Sequence, residues 1–368
     1  MKSLKTSSLF RLAALLLIAV IVICMVGFVA QEWQGAPEKQ PESGETDENS
    51  GNTDENTDGD GTSALPDPPA PPEYTHYLTG LETTAEEQRT RPLCFVMDSS
   101  SPLYGISNAP LTVEIPIENG QTRLLVYRDH SQNLGKIGSL AQGRDCILRL
   151  LDTFGGIAIY NGTDGARSGQ AAQGQITFDL SVQKGYAYSE SASYLYSNGD
   201  LLYAGLQNTG ISLTATEGRT LPYNFVPYFS EPIRFAASAQ AVILPYSESN
   251  ETDLYYDAAA HRYILGKNGQ AKTDLLSGKS ITYKNAFVLF ADTTTYESAS
   301  ATEMVTDTAS GGGGYYFTEG TATPILWRTD ATGRLIFTNE SGEILTANRG
   351  ESYIAFYKAS QADKVIFS

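Results

Sequence analysis

Residues 111–127 read LTVEIPIENGQTRLLVY. Two runs rich in β-branched and aliphatic residues, Leu111–Ile117 and Arg123–Tyr127, flank Glu118-Asn119-Gly120-Gln121. Asn and Gly tolerate left-handed backbone, so the stretch predicts a β-hairpin. On its N-terminal side, Cys94–Asp98 follows Arg91-Pro92 and has the apolar character of a buried strand. On its C-terminal side, Ser139 and Gln142 have capping-box spacing, and Leu140, Ile147 and Leu151 share a helical face. A helix opening at Gly138-Ser139 is therefore expected. Gly156–Tyr160 and Ile176–Val182 have strand character, and a second helix is expected over Ser189–Leu206, broken at Asn198-Gly199-Asp200. Alternating strand and helix signals predict an α/β first subdomain over residues 76–222.

Arg219–Pro232 holds three prolines and is expected to be a connector. Strand signals then dominate: Ala241–Pro245, Ala286–Ala291, Tyr315–Thr318, Thr323–Arg328, Arg334–Thr338 and Ser352–Tyr357. These predict a mostly antiparallel, β-rich (α+β) second subdomain over residues 223–368. The Gly311–Gly314 run precedes Tyr315-Tyr316 and not Gly-Lys-Ser/Thr, so it is no phosphate loop; a flexible hairpin loop is expected there.

The chain before residue 76 has a different character. Leu12 to Gln31 is twenty residues without a charge. As a helix it would span about 30 Å, the hydrocarbon thickness of a bilayer. Lys2, Lys5 and Arg11 precede it and acids follow it. The positive-inside bias therefore places residues 1–11 in the cytoplasm, residues 12–31 in the membrane as one transmembrane helix, and the remainder outside the cell. Signal-peptide cleavage fits poorly: Ala30 has Phe28 at the −3 place and Ala36 has Gln34. Lipidation at Cys24 would need a small residue where Ile23 stands. Residues 32–75 form an acidic linker: between 32 and 73 there are twelve acids and one base, Lys39, which contributes −11 of the chain's net −17. Such a composition buries too little apolar surface to offset its ordering entropy, so disorder and a coil span of roughly 35 Å are expected. This acidity also sets nucleic acid aside as a partner.

Cys94 and Cys146 are the two cysteines outside the anchor, too few for a disulfide framework; two buried thiols or one bridge both fit. His76, His130 and His261 lie far apart without metal-ligand spacing, so no metal or cofactor is implied. The sharpest site hypothesis is a small anion site: the Ser139 helix start with Arg144 and the hairpin's Thr122-Arg123. In the bland alternative, Ser139 is only a cap, and Arg123 and Arg144 pair internally with Glu118, Glu114 or Asp98. Asp98 and Glu118 are also the carboxylates an acid/base enzyme would use.

The order of several short motifs resembles the YerB-like lipoproteins, Gram-positive envelope proteins with a domain of unknown function. Leu78-Thr79-Gly80-Leu81, Arg91-Pro92 and Asp98 match its start. Gly105, Ala109, Glu114, Glu118–Arg123, Gly138 and Arg144 continue it, and Asn285, Gly320, Trp327, Gly342 and Gly350 match the second domain. The resemblance covers nearly all of residues 77–368. Departures stand out. Asp98-Ser99 replaces Asp-Asn, Pro110 replaces an acid, and Ala141-Gln142-Gly143-Arg144 replaces Arg-Ser-x-Arg. Tyr160 and Lys272 stand where the resemblance implies His, and the lipobox is absent. A polar site of the family would thus be depleted here. The favoured expectation is a membrane-anchored extracytoplasmic protein, non-enzymatic, that binds a cell-wall ligand or regulates an envelope partner. A hydrolase or transferase acting on envelope substrates is one alternative, and a structural or adhesive surface protein is the other.

Overall fold

The 111–127 stretch forms the predicted hairpin at the centre of the fold. The computed structural model describes residues 70–129, 134–163, 175–215, 221–297 and 302–368. The proposed anchor and nearly all of the acidic linker lie outside the described residues. Among the described residues, no helix is long and apolar enough to cross a membrane.

Strand β1 is Leu93–Asp98, β2 is Leu111–Pro116 and β3 is Thr122–Arg128. β2 and β3 pair from Leu111↔Tyr127 to Pro116↔Thr122, and β3 pairs with β1 from Leu93↔Arg128 to Asp98↔Arg123. The turn between β2 and β3 is a short 3-10 segment with Asn119 and Gly120 in the left-handed region, at φ 56° and 67°. Gly120 is required twice over, because a Cβ there would also lie 2.4 Å from Ser247 Cβ. β1 adds Ile157–Tyr160 in parallel, and Thr177–Asp179 extends that parallel trio. On the other side, β2 pairs in parallel with Ser352–Lys358, which pairs with Asn285–Ala291. Strands from both ends of the chain thus share one sheet of fourteen strands.

A second, six-stranded sheet is built around Ala241–Ser247, Asn250–Asp257 and Arg262–Lys267. Side chains alternate across a strand, so β1 and β3 feed two cores. Phe95, Leu124 and Val126 join Leu254, Tyr263 and Tyr353 in one, which includes side chains of both sheets. Cys94, Val96, Leu125 and Tyr127 point the opposite way, to Ile147, Phe154 and the aromatics Phe287, Trp327 and Phe337. Each fully buried Phe contributes about 1.5–3 kcal/mol relative to exposure. Cys94 and Cys146 are both buried thiols.

The result is mostly β with a few short helices, an α+β arrangement; the α/β character of the first part is confined to the parallel trio and its neighbouring helical turns. Three expectations need correction. Ser139 opens no helix: Ile137–Leu140 is a strand, pairing with β1 and with Tyr194–Ser197. The helical turn starts later, at Asp145–Leu148, with Arg144 at its N-cap. Ile137-Gly138-Ser139-Leu140 is too short to show a period, and the open edge of β1 selects the strand. Ser189–Leu206 is likewise not one broken helix. Tyr188–Ser191 and Tyr194–Ser197 form a hairpin, and Asn198 caps a helix over Gly199–Asn208 by accepting the Leu201 N–H. The expected break is that helix's start. Finally, Gly311–Gly314 belongs to the strand Gly311–Thr318. A Cβ at Gly312 or Gly314 would sit 2.2 Å from the carbonyl oxygen of Phe290 or Val288, so glycine here permits close strand approach.

Candidate functional site

The predicted site residues separate onto two faces of the main sheet. By strand alternation Asp98 and Arg123 lie on the face that carries the 145–154 helical turns. Arg123 Nη1 is 3.0 Å from Asp98 Oδ2, its direct cross-strand neighbour. Arg144, only 3% exposed, grips Glu118 with two parallel hydrogen bonds of 2.7 Å. Burial pushes the Glu118 carboxyl up, but the Arg144 hydrogen bonds and charge outweigh it and hold the group below the usual glutamate range. Ser139 is buried in its strand, and its N–H donates to the Pro102 carbonyl. Arg123 and Arg144 thus have internal carboxylate partners, and Ser139 supplies no helix start to join them. A cavity of about 270 Å³ beside Arg144 is also lined by Arg149, Asp145, Glu303 and Asp307, so it has no consistent charge.

Thr122 points to the other face, toward the second sheet, and there it meets a group that sequence reasoning had placed only as a possible salt-bridge partner. Glu114 is 1% exposed. Its Oε1 accepts from Thr122 Oγ1 at 2.6 Å and from Thr252 Oγ1 at 3.0 Å, and its Oε2 accepts from Tyr353 OH at 2.6 Å. Lys267 Nζ stands 3.5 Å away, and Ser99 Oγ lies 2.5 Å from Thr122 Oγ1. A buried carboxylate is tolerable only with such complete hydrogen bonding and a counter-charge. Burial first, and then the Glu114 charge, pushes the phenols of Tyr246 and Tyr353 far up.

In front of Lys267 lies a cleft of about 460 Å³, with Ser100, Gln121, Asn250, Asn268 and Lys272 among its lining residues. The hairpin turn of β2–β3 forms one wall, and the Asn250–Asp257/Arg262–Lys267 hairpin with the chain that follows forms the other. Asn250 is fixed by donating to the Gly120 carbonyl at 2.6 Å, and Asn268 by donating to the Ser249 carbonyl at 3.1 Å. Ser100 Oγ donates to Gln121 Oε1 at 2.7 Å. Among the described residues lining the cleft there are two lysines and no Asp or Glu. The side chain of Lys272 is half-buried and makes no hydrogen bond or ion pair with any described residue, while its backbone pairs with Leu265 and Ile281. Burial lowers its pKa and the neighbouring Lys267 lowers it further, against the pull of Asp98 and Glu114.

Two family profiles match the chain. Residues 78–212 match the N-terminal domain, and residues 242–354 the C-terminal domain, of a protein of unknown function, DUF3048. The chain belongs to the YerB-like DUF3048 family. It is 25% identical over 271 residues to the "Putative lipoprotein YerB" of Bacillus subtilis (strain 168), spanning 70% of this chain and 79% of that protein. The crystal structure of the YerB protein from Bacillus subtilis superposes with a TM-score of 0.69 at 22% identity, covering 80% of this chain and 100% of that one, a likeness of fold. Both matched regions contribute to the cleft, Ser100 and Gln121 from the first, Asn250, Lys267 and Lys272 from the second. Of the departures from the family pattern, Ser99 joins the Glu114 network and Lys272 lines the cleft. Lys267 and Asn250 went unread in the sequence, and Gln121 was read only as a turn and motif residue. The available signal was two lysines five residues apart in an acidic chain.

Proposed function

We propose that this protein is a membrane-anchored, extracytoplasmic binding protein, non-enzymatic, that takes an anionic envelope ligand in the Lys267/Lys272 cleft. One observation carries the reading: Lys272 is a half-buried ammonium whose side chain has no hydrogen bond or ion pair among the described residues, in a cleft whose described lining holds no acid, within a chain of net charge −17. Unpaired, partly desolvated charge costs stability, and a bound anion supplies the missing counter-charge. The extracytoplasmic placement is supported by the uncharged 12–31 run and by the lipoprotein designation of the Bacillus relative. The non-enzymatic part is supported by how the carboxylates are engaged: Asp98 by Arg123, Glu118 by Arg144, and Glu114 by three hydroxyls and Lys267.

The test uses the purified full chain in detergent and immobilised dextran sulfate, with neutral dextran as reference. Retention on the sulfated matrix that weakens with salt, and that a Lys267→Gln/Lys272→Gln double variant loses, is the expected result. Equal retention of the wild type and the double variant would place anion binding elsewhere and refute the reading.

A further inference from the structure

The lining of the cleft also says what kind of anion it suits. Its positive groups among the described residues are both ammonium ions, point charges on flexible stems, with no guanidinium fork among them to clasp a planar carboxylate. Its other polar groups are neutral. The Gln121 amide nitrogen and the Asn250 amide oxygen have no partner among the described residues, whereas the opposite ends of both amides are held by Ser100 and by the Gly120 carbonyl. They therefore present one donor and one acceptor in set orientations, as a hydroxyl group requires. No aromatic ring and no large aliphatic side chain lines the space; Ala271 is its one apolar member among the described residues. A nucleobase would find no stacking platform and an acyl chain no apolar wall.

Resting on the anion-binding reading above, we infer that the cleft recognises a phosphate carried on a hydroxyl-rich backbone, a phosphorylated polyol or sugar. Lys272 and Lys267 meet the phosphate, and Gln121 and Asn250 meet the flanking hydroxyls. Lys267 stays tethered through Glu114 and Thr252, which fixes the depth of the site. Lys272 is the group whose charge the ligand neutralises.

Titration calorimetry on the full chain in detergent tests this with three probes: sn-glycerol 3-phosphate, a poly(glycerol phosphate) chain and oligogalacturonate. Both phosphates are expected to bind at least tenfold tighter than the uronate. Tighter binding of the chain than of the monomer assigns the site to a polymer, and equal binding per phosphate assigns it to a free phosphorylated polyol. Lys272→Gln should weaken phosphate binding at least tenfold with a thermal midpoint that holds or rises, since no described acid loses a hydrogen-bond partner and a partly desolvated charge is removed. Gln121→Ala, a surface change, should weaken it severalfold, and Lys184→Gln, outside the cleft, should do nothing. Uronate binding as tight as phosphate, and equally sensitive to Lys272→Gln, would overturn the phosphate inference and leave anion binding standing. Absence of binding by all three probes at millimolar concentration would overturn both.

Discussion

Replacing Arg144 by Ala should unfold this protein several degrees earlier without any ligand present. The guanidinium is 3% exposed and holds both oxygens of Glu118 at 2.7 Å. Its removal deletes two charge-assisted hydrogen bonds and strands a carboxylate whose side chain keeps 21% of its accessible surface. Breaking a buried pair costs about 3–5 kcal/mol, and partial hydration of Glu118 puts this case near 3 kcal/mol. For a domain of this size that is roughly a 6–9 °C drop in midpoint. The pH dependence supplies a check on the cause. The Glu118 carboxyl is held below its ordinary value of 4.5 in the folded state. Pairing therefore stabilises the protein fully above about pH 4.5, and this contribution is lost as pH falls through the lower folded value. Wild type and Arg144→Ala should differ most near pH 7 and converge as the pH falls below about 4.5 in thermal melts followed by near-ultraviolet dichroism. A difference below 1 kcal/mol at pH 7, or one that does not shrink in acid, would refute the ion-pair argument and return Arg144 to the list of ligand-facing groups.

Glu114→Ala should be more damaging, because it leaves Thr122, Thr252, Tyr353 and Lys267 without their shared acceptor. At least about 3 kcal/mol is expected in urea titrations, and a loss under 1 kcal/mol would show that the network is not needed. Gly312→Ala should cost about 1–3 kcal/mol, since its Cβ would meet the Phe290 carbonyl at 2.2 Å; an unchanged midpoint would mean that the two strands yield freely. Removing residues 32–67 should leave the melting of the folded part unchanged, because their composition offers little apolar surface to pack; a drop of several degrees would contradict that. Protease added to intact, wall-stripped cells should digest the folded part, and survival of the full chain would contradict the predicted topology.

The periods of the chain are local, and what is local was legible. Short apolar runs placed β1, the β2–β3 hairpin and the main C-terminal strands, and Asn119-Gly120 marked the turn between β2 and β3 because few residues accept left-handed backbone. The motif order sufficed for the family. Short ambiguous runs were decided elsewhere. Ile137–Leu140 carries a capping signal worth about 1 kcal/mol, less than a seat between β1 and Tyr194–Ser197 provides. The Gly311–Gly314 run looks like a loop until the carbonyls of Phe290 and Val288 are seen to need its missing side chains. The cleft was the least legible part. Glu114 meets Thr252 and Tyr353 across 138 and 239 residues, and Lys272 faces the β2–β3 turn only because Ser352–Lys358 pairs with β2 and the second sheet packs on that face. Strand registers separated by that much chain are chosen by the burial of whole faces, and a one-residue slip in either sheet would have turned Glu114 or Lys267 away from the other.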